Sequence, residues 1–94
     1  MSARFYEVMS SLKYSLREQD GSKFIFERLE EHNKLVIIFN TSDKYINGLI
    51  VPLRTFTDRS EIFQLYSDWK KLEENIKYLA ELSKYSIIMD VEKD

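Results

Sequence analysis

DRSEIFQLYSDWKKLEENIKYLAELSK, residues 58–84, carries one unbroken periodicity over a longer span than any other part of the chain. Ile62, Leu65, Trp69, Leu72, Ile76 and Leu79 follow one another at alternating steps of three and four. That spacing sets them on a single helical stripe that repeats every seven residues, as a coiled-coil seam does. Asp58 and Glu61 stand at the spacing of a capping box, in which each side chain accepts an amide hydrogen left free at the helix start. Glu73 and Lys77, acid first and four apart, add a stabilising pair on the flank. The stretch predicts a helix from about Arg59 to Lys84, roughly 39 Å long at 1.5 Å per residue, with a break near Ser67 as the alternative.

A folded unit of 94 residues is only about 30 Å across, so such a helix must bend or overhang its own domain. An overhanging apolar seam needs cover. Tyr66 and Tyr78 beside the stripe and Trp69 on it are amphipathic aromatics of the kind enriched at binding hot spots. Tyr66, Trp69, Leu72 and Ile76 are therefore the candidate partner-binding residues.

Upstream of the helix the pattern is extended. Lys23–Leu29 alternates Phe24 and Phe26 with Ile25, and Glu30–Lys34 is polar enough for a hairpin loop. Leu35–Phe39 is an uninterrupted apolar run, the pattern of a strand covered on both faces. Thr41, Ser42 and Asp43 offer turn oxygens, the stretch from Ser42 to Asn47 allows a short helical turn, and Gly48 is a further breaker. Leu49–Phe56 resumes an extended pattern, and Pro52, which has no amide hydrogen for a ladder, marks it as an edge or bulged strand.

At the N-terminus, Phe5, Val8, Met9, Leu12 and Leu16 share one helical stripe, which predicts a helix from Ala3 to Glu18 that Ser2 caps and Gly21 stops. After Lys84, Tyr85–Val91 reads as a strand returning to the sheet, followed by a charged tail. The expected architecture is one α+β domain over residues 1–94, in the order α-β-β-β-α-β. An antiparallel sheet of three to four strands packs against an N-terminal helix and a long C-terminal helix. Helix, three strands, helix is similar in order to double-stranded-RNA-binding domains, which set a basic helix start against phosphate. Here that start is Asp58-Arg59-Ser60-Glu61, and no function carries across.

Composition narrows the chemistry. Fourteen basic against sixteen acidic residues leave a net charge of −2, which gives no global attraction to nucleic acid or anionic lipid. No cysteine and a single histidine, His32, remove thiol chemistry and a closed zinc site, and His32 is expected as a solvated loop residue. Asp90, Glu92 and Asp94 fall at a terminal tail and read as solvated carboxylates rather than metal ligands, and Glu73 and Glu74 point about 100° apart on a helix. With two isolated glycines there is no phosphate-binding loop, and no cofactor is expected. No secretory leader and no stretch of about 20 apolar residues are visible, so the cytoplasm is the expected compartment, without membrane attachment.

These features make a non-enzymatic protein-binding module the expected function. It would self-associate or bind a larger protein as a small regulator or inhibitor, a form suited to a bacterial or viral setting. A sheet-based nucleic-acid binder using Lys23, Arg28, Lys34 and Tyr45 is the alternative, because sheet aromatics can stack on single-stranded bases. Its weakness is the balance from Gly21 to Ser60, six bases against five acids. A small enzyme would have to work from carboxylates, tyrosine and lysine alone.

Overall fold

The computed structural model describes residues 1–55 and 58–91, the last two of these by backbone only. Phe56 and the tail from Glu92 to Asp94 lie outside the described residues, as does the side chain of Asp90. The elements are α1 (Ala3–Ser11), β1 (Ser15–Asp20), β2 (Lys23–Leu29), β3 (Asn33–Asn40), β4 (Tyr45–Pro52), α2 (Arg59–Ser83) and β5 (Ser86–Val91). The fold is α+β as expected, with a five-stranded sheet in the order β1-β2-β3-β4-β5. The first four strands form an antiparallel meander, and β5 joins parallel to β4 after the crossover through α2.

The additional strand comes from the part of the chain read as the end of the first helix. α1 stops at Ser11 because Lys13 adopts φ +70°. The Lys13 amide donates to Ser10 O at 2.9 Å and the Tyr14 amide to Met9 O at 2.9 Å. This is the paired 5→2 and 6→1 closure of a Schellman motif, with Met9 and Tyr14 both buried in the apolar contact that accompanies it. Leu16 therefore leaves the helical stripe and pairs with Phe26 across the β1–β2 ladder. Gly21, at φ +59°, makes the two-residue turn of that hairpin instead of stopping a helix.

β4 also differs from the expected strand. It begins at Tyr45, after a turn in which Asn40 Oδ1 accepts from the amides of Ser42 and Asp43 at 3.1 and 2.8 Å, and Lys44 takes φ +57°. β4 lies between β3 and β5, inside the sheet, because Pro52 is its last residue and disturbs no interior ladder bond. Gly48 sits within the strand: a Cβ there would overlap Ile76 Cδ1, so its missing side chain is the room in which α2 seats.

Both helices pack on one face of the sheet. Phe24, Phe26, Leu35, Ile37, Phe39, Ile46 and Ile50 from that face meet Met9, Leu72, Ile76 and Leu79 from the helices. Phe39 stacks edge-on with Phe5 at 5.7 Å and Phe26 at 5.9 Å between centroids. α2 is continuous through Ser67, capped by Asp58, which accepts from the Glu61 amide at 3.1 Å, and closed by Lys84 at φ +64°. No helix among the described residues is long and apolar enough to cross a membrane.

Candidate protein-docking site

Asn33 opens β3 and pairs with Pro52, the last residue of β4, so this pair is the final row of the sheet at that end. Asp68 is anchored there. The Asn33 amide donates to Asp68 Oδ2 at 2.7 Å and the Gln64 amide to Oδ1 at 3.1 Å, in a site where Asn33 and Asp68 are both fully buried. Lys71 Nζ donates to Glu30 Oε1 at 3.1 Å and lies 3.9 Å from Asp68. Arg28 Nε reaches the same Glu30 oxygen at 2.8 Å, while its Nη1 donates to the Leu12 carbonyl at 2.9 Å. One turn further along α2, the Tyr14 hydroxyl donates to Asn75 Oδ1 at 2.9 Å. Burial pushes the Tyr14 phenol well above its ordinary range; Arg28 pulls the other way, Glu30 adds to the rise, and the hydroxyl stays a donor.

This band of polar contacts fastens α2 where it leaves the sheet. The buried residues of the helix are Asp68, Leu72, Ile76 and Leu79, all on the C-terminal side of that point or at it. Residues 59–67 run on past the last row for about 13 Å. The molecule is elongated, 41 Å against 22 and 21 Å.

The overhang is apolar. Phe63 is 72% exposed, Tyr66 61% and Ile62 58%, while Leu65 and Trp69 are half-buried against the margin of the core. Ile62, Leu65, Tyr66 and Trp69 line an open groove of about 420 Å³. Lys70 Nζ stands 5.7 Å from the centre of the Tyr66 ring. The seven-residue seam is thus divided between Trp69, which lines the groove, and Leu72, the first of its members to be fully buried. Of the four residues singled out in the sequence, Tyr66 and Trp69 belong to the groove. Leu72 and Ile76 are 0% exposed, and their partner is the domain's own sheet. Ile62, Leu65 and Phe63 complete the exposed surface; the first two were visible as members of the seam, but nothing in the spacing said where the sheet would end.

The residues of the nucleic-acid alternative do not converge. Lys23 and Tyr45 lie at one end of the uncovered sheet face, and Lys34 lies at the other, 3.7 Å from Glu27. Arg28 is on the opposite, helix-covered side, engaged with Glu30. Phe24, Phe26 and Phe39 are core residues. A cavity of about 210 Å³ is lined by Met1, Ser2, Phe5, Phe39, Thr41 and Tyr85, and one of about 110 Å³ by Arg4, Phe5, Val8 and Leu82. Neither sets a carboxylate beside a tyrosine. His32 is half-buried rather than solvated, with Nε2 3.8 Å from Glu31. The described residues contain no group of three or more His, Asp or Glu that could hold a metal.

No model of a known protein family, no curated protein and no solved structure matches this chain.

Proposed function

We propose that this chain is a non-enzymatic protein-binding module that acts as a small regulator or inhibitor of a larger protein. The overhanging start of α2 receives an amphipathic helix of that protein. The observation that supports this reading is the open groove in which Ile62 and Tyr66 are exposed beside Leu65 and Trp69, half-buried at the margin of the core. Steps of three and four along the groove fit the knobs of a second helix. Each large apolar side chain brought from exposure to full burial contributes about 1.5–3 kcal/mol, and the two aromatics supply rigid area at low entropic cost.

Trp69 is the only tryptophan, so its emission reports occupancy of the groove directly. The test compares proteins retained from the native host by the wild type and by the surface variant Ile62→Glu/Tyr66→Glu, with folding checked by circular dichroism. The reading expects a protein held by the wild type and lost by the variant, which in purified form shifts Trp69 emission to the blue on titration. Identical retention by both chains, or a purified partner that leaves Trp69 emission unchanged, contradicts it.

A further inference from the structure

The two edges of the sheet are not alike. β1, at one end of the strand order, is broken by a register shift between Leu16 and Glu18 and carries Arg17, Glu18 and Asp20. A bulge and charged side chains are devices that keep an edge strand from pairing with another chain. β5, at the other end, pairs with β4 from Ser86 to Val91 without a shift, runs through Ile87-Ile88-Met89, and has Asp90 as its single charged residue. The Ser86 amide donates to the Lys44 carbonyl at 3.1 Å, and in a parallel pair alternate residues turn both backbone groups toward the neighbour. Ser86, Ile88 and Asp90 therefore bond to β4. Ile87, Met89 and Val91 turn amide and carbonyl to the open side, where no strand stands among the described residues. Apolar side chains beside this row are exposed on both faces: Ile87, opposite Ile46 on the helix side, is 42% exposed, and Ile88, opposite Asn47 on the other side, 45%.

We infer that β5 is a pairing edge for a second copy of the chain, joined strand to strand across a two-fold axis. An open row of amides and carbonyls at strand spacing recognises another extended backbone, and the two-fold makes that pairing antiparallel. Because Ile87, Met89 and Val91 face outward, the hydrogen-bonded pairs form among them, and the allowed registers differ by steps of two. With Ile88 opposite Ile88 of the second copy, Ile87 meets Met89 in hydrogen-bonded pairs on the helix side and Ser86 falls opposite Asp90. One step along sets Asp90 opposite Ile88, and a further step sets Asp90 opposite Asp90, where like charges repel. The opposite step leaves only the stretch from Ser86 to Ile88 paired within the strand. The β5 sequence thus matches itself in one register. The joined sheet ends on β1 in both directions, and the bulged, charged β1 stops further growth, so assembly closes at two copies. Strands of six residues make a small contact, which places the dimer in the reversible, concentration-dependent range. The inference goes beyond the helix groove, uses none of its residues, and stands or falls separately from it.

The test is the solution mass of the full chain by sedimentation equilibrium from low micromolar to millimolar concentration. Wild type is expected to rise to a plateau at twice the 11.3 kDa of one chain. Ile87→Pro removes a donor from the open row and costs the single chain no ladder bond. Ile88→Lys and Ile88→Glu each set like charges opposite one another across the axis at an exposed position. Each of the three is expected to raise the dimer dissociation constant at least tenfold, whereas Leu16→Lys on β1 and Tyr66→Glu on α2 leave it unchanged. An equimolar mixture of Ile88→Lys and Ile88→Glu is expected to recover the two-chain mass at a concentration where either alone stays at one chain. Should proline unfold the chain, as circular dichroism would show, the two Ile88 variants and their mixture decide the matter. A wild-type mass of one chain at every concentration overturns the inference. So does a dimer that withstands Ile88→Lys or a folded Ile87→Pro, one that dissolves on Leu16→Lys or Tyr66→Glu, a mixture no heavier than its components, or a mass that climbs past two chains without a plateau.

Discussion

Replacing Gly48 by alanine tests how α2 is seated, and therefore why its first turns overhang. Gly48 has an ordinary backbone conformation, so the substitution costs nothing in φ and ψ. Its new methyl would overlap Ile76 Cδ1, while Met89 Cγ at 3.4 Å and Ile76 Cγ1 at 3.6 Å remain at tolerable contact. Overpacking of this kind costs about 1–3 kcal/mol. Ile76→Val removes the one offending carbon and by itself costs about 0.5–1.5 kcal/mol for the lost packing. Combining them returns the alanine methyl to the vacated space and restricts the unfolded chain at residue 48, a gain of about 0.4–1 kcal/mol. The double variant is then expected to be no less stable than Ile76→Val alone. The coupling between the sites is about 2 kcal/mol in favour of the pair, equivalent to roughly 8–16 °C in Tm for a domain of this size. Urea unfolding followed by Trp69 fluorescence measures all four corners of the cycle. An equal cost for Gly48→Ala in both backgrounds refutes the proposed seat.

Three further outcomes follow from local geometry. Lys13→Gly relieves a left-handed side-chain penalty of about 1 kcal/mol but frees the unfolded chain, for a net gain of about 0.5 kcal/mol, whereas Lys13→Val should lower Tm because a β-branched residue is strained at φ +70°. Asn33→Ala withdraws the amide that Asp68 accepts from and is expected to destabilise by about 2–3 kcal/mol in chemical denaturation. Asp58→Ala lowers Tm by removing the α2 cap. The Ser60 hydroxyl and then the Glu61 amide hold the Asp58 carboxyl below its ordinary 3.8, so the cap's contribution is in place above that value and disappears as the pH falls through the folded-state pKa. The wild type and the variant should therefore converge in acid and differ at neutral pH.

Much of this architecture was legible in the residues. The seam and the Asp58 cap announced α2, and the run from Leu35 to Phe39 announced the strand β3. What escaped reading was governed by lysines at positive φ. Lys13 performs the helix-stopping role ordinarily sought in glycine, so the stripe from Phe5 to Leu12 appeared to run on to Leu16 and β1 was hidden in it. Lys44 likewise closes the turn before β4, and Gly48, which looked like a breaker, is a strand residue emptied for Ile76. At the site, periodicity announced a surplus of apolar surface but could not divide it. The division between Trp69 and Leu72 depends on where β3 begins and β4 ends, a tertiary fact with no counterpart in a seven-residue repeat.

The most direct examination of the binding role is photo-crosslinking in the native host, with a benzophenone amino acid replacing Tyr66 in one strain and Glu74 in another. Both positions are exposed on α2, but only Tyr66 borders the groove. The account expects one discrete adduct with another protein from position 66 upon illumination and none from position 74. The same adducts from both positions, or no adduct from 66 under conditions in which the chain is folded and abundant, would contradict it.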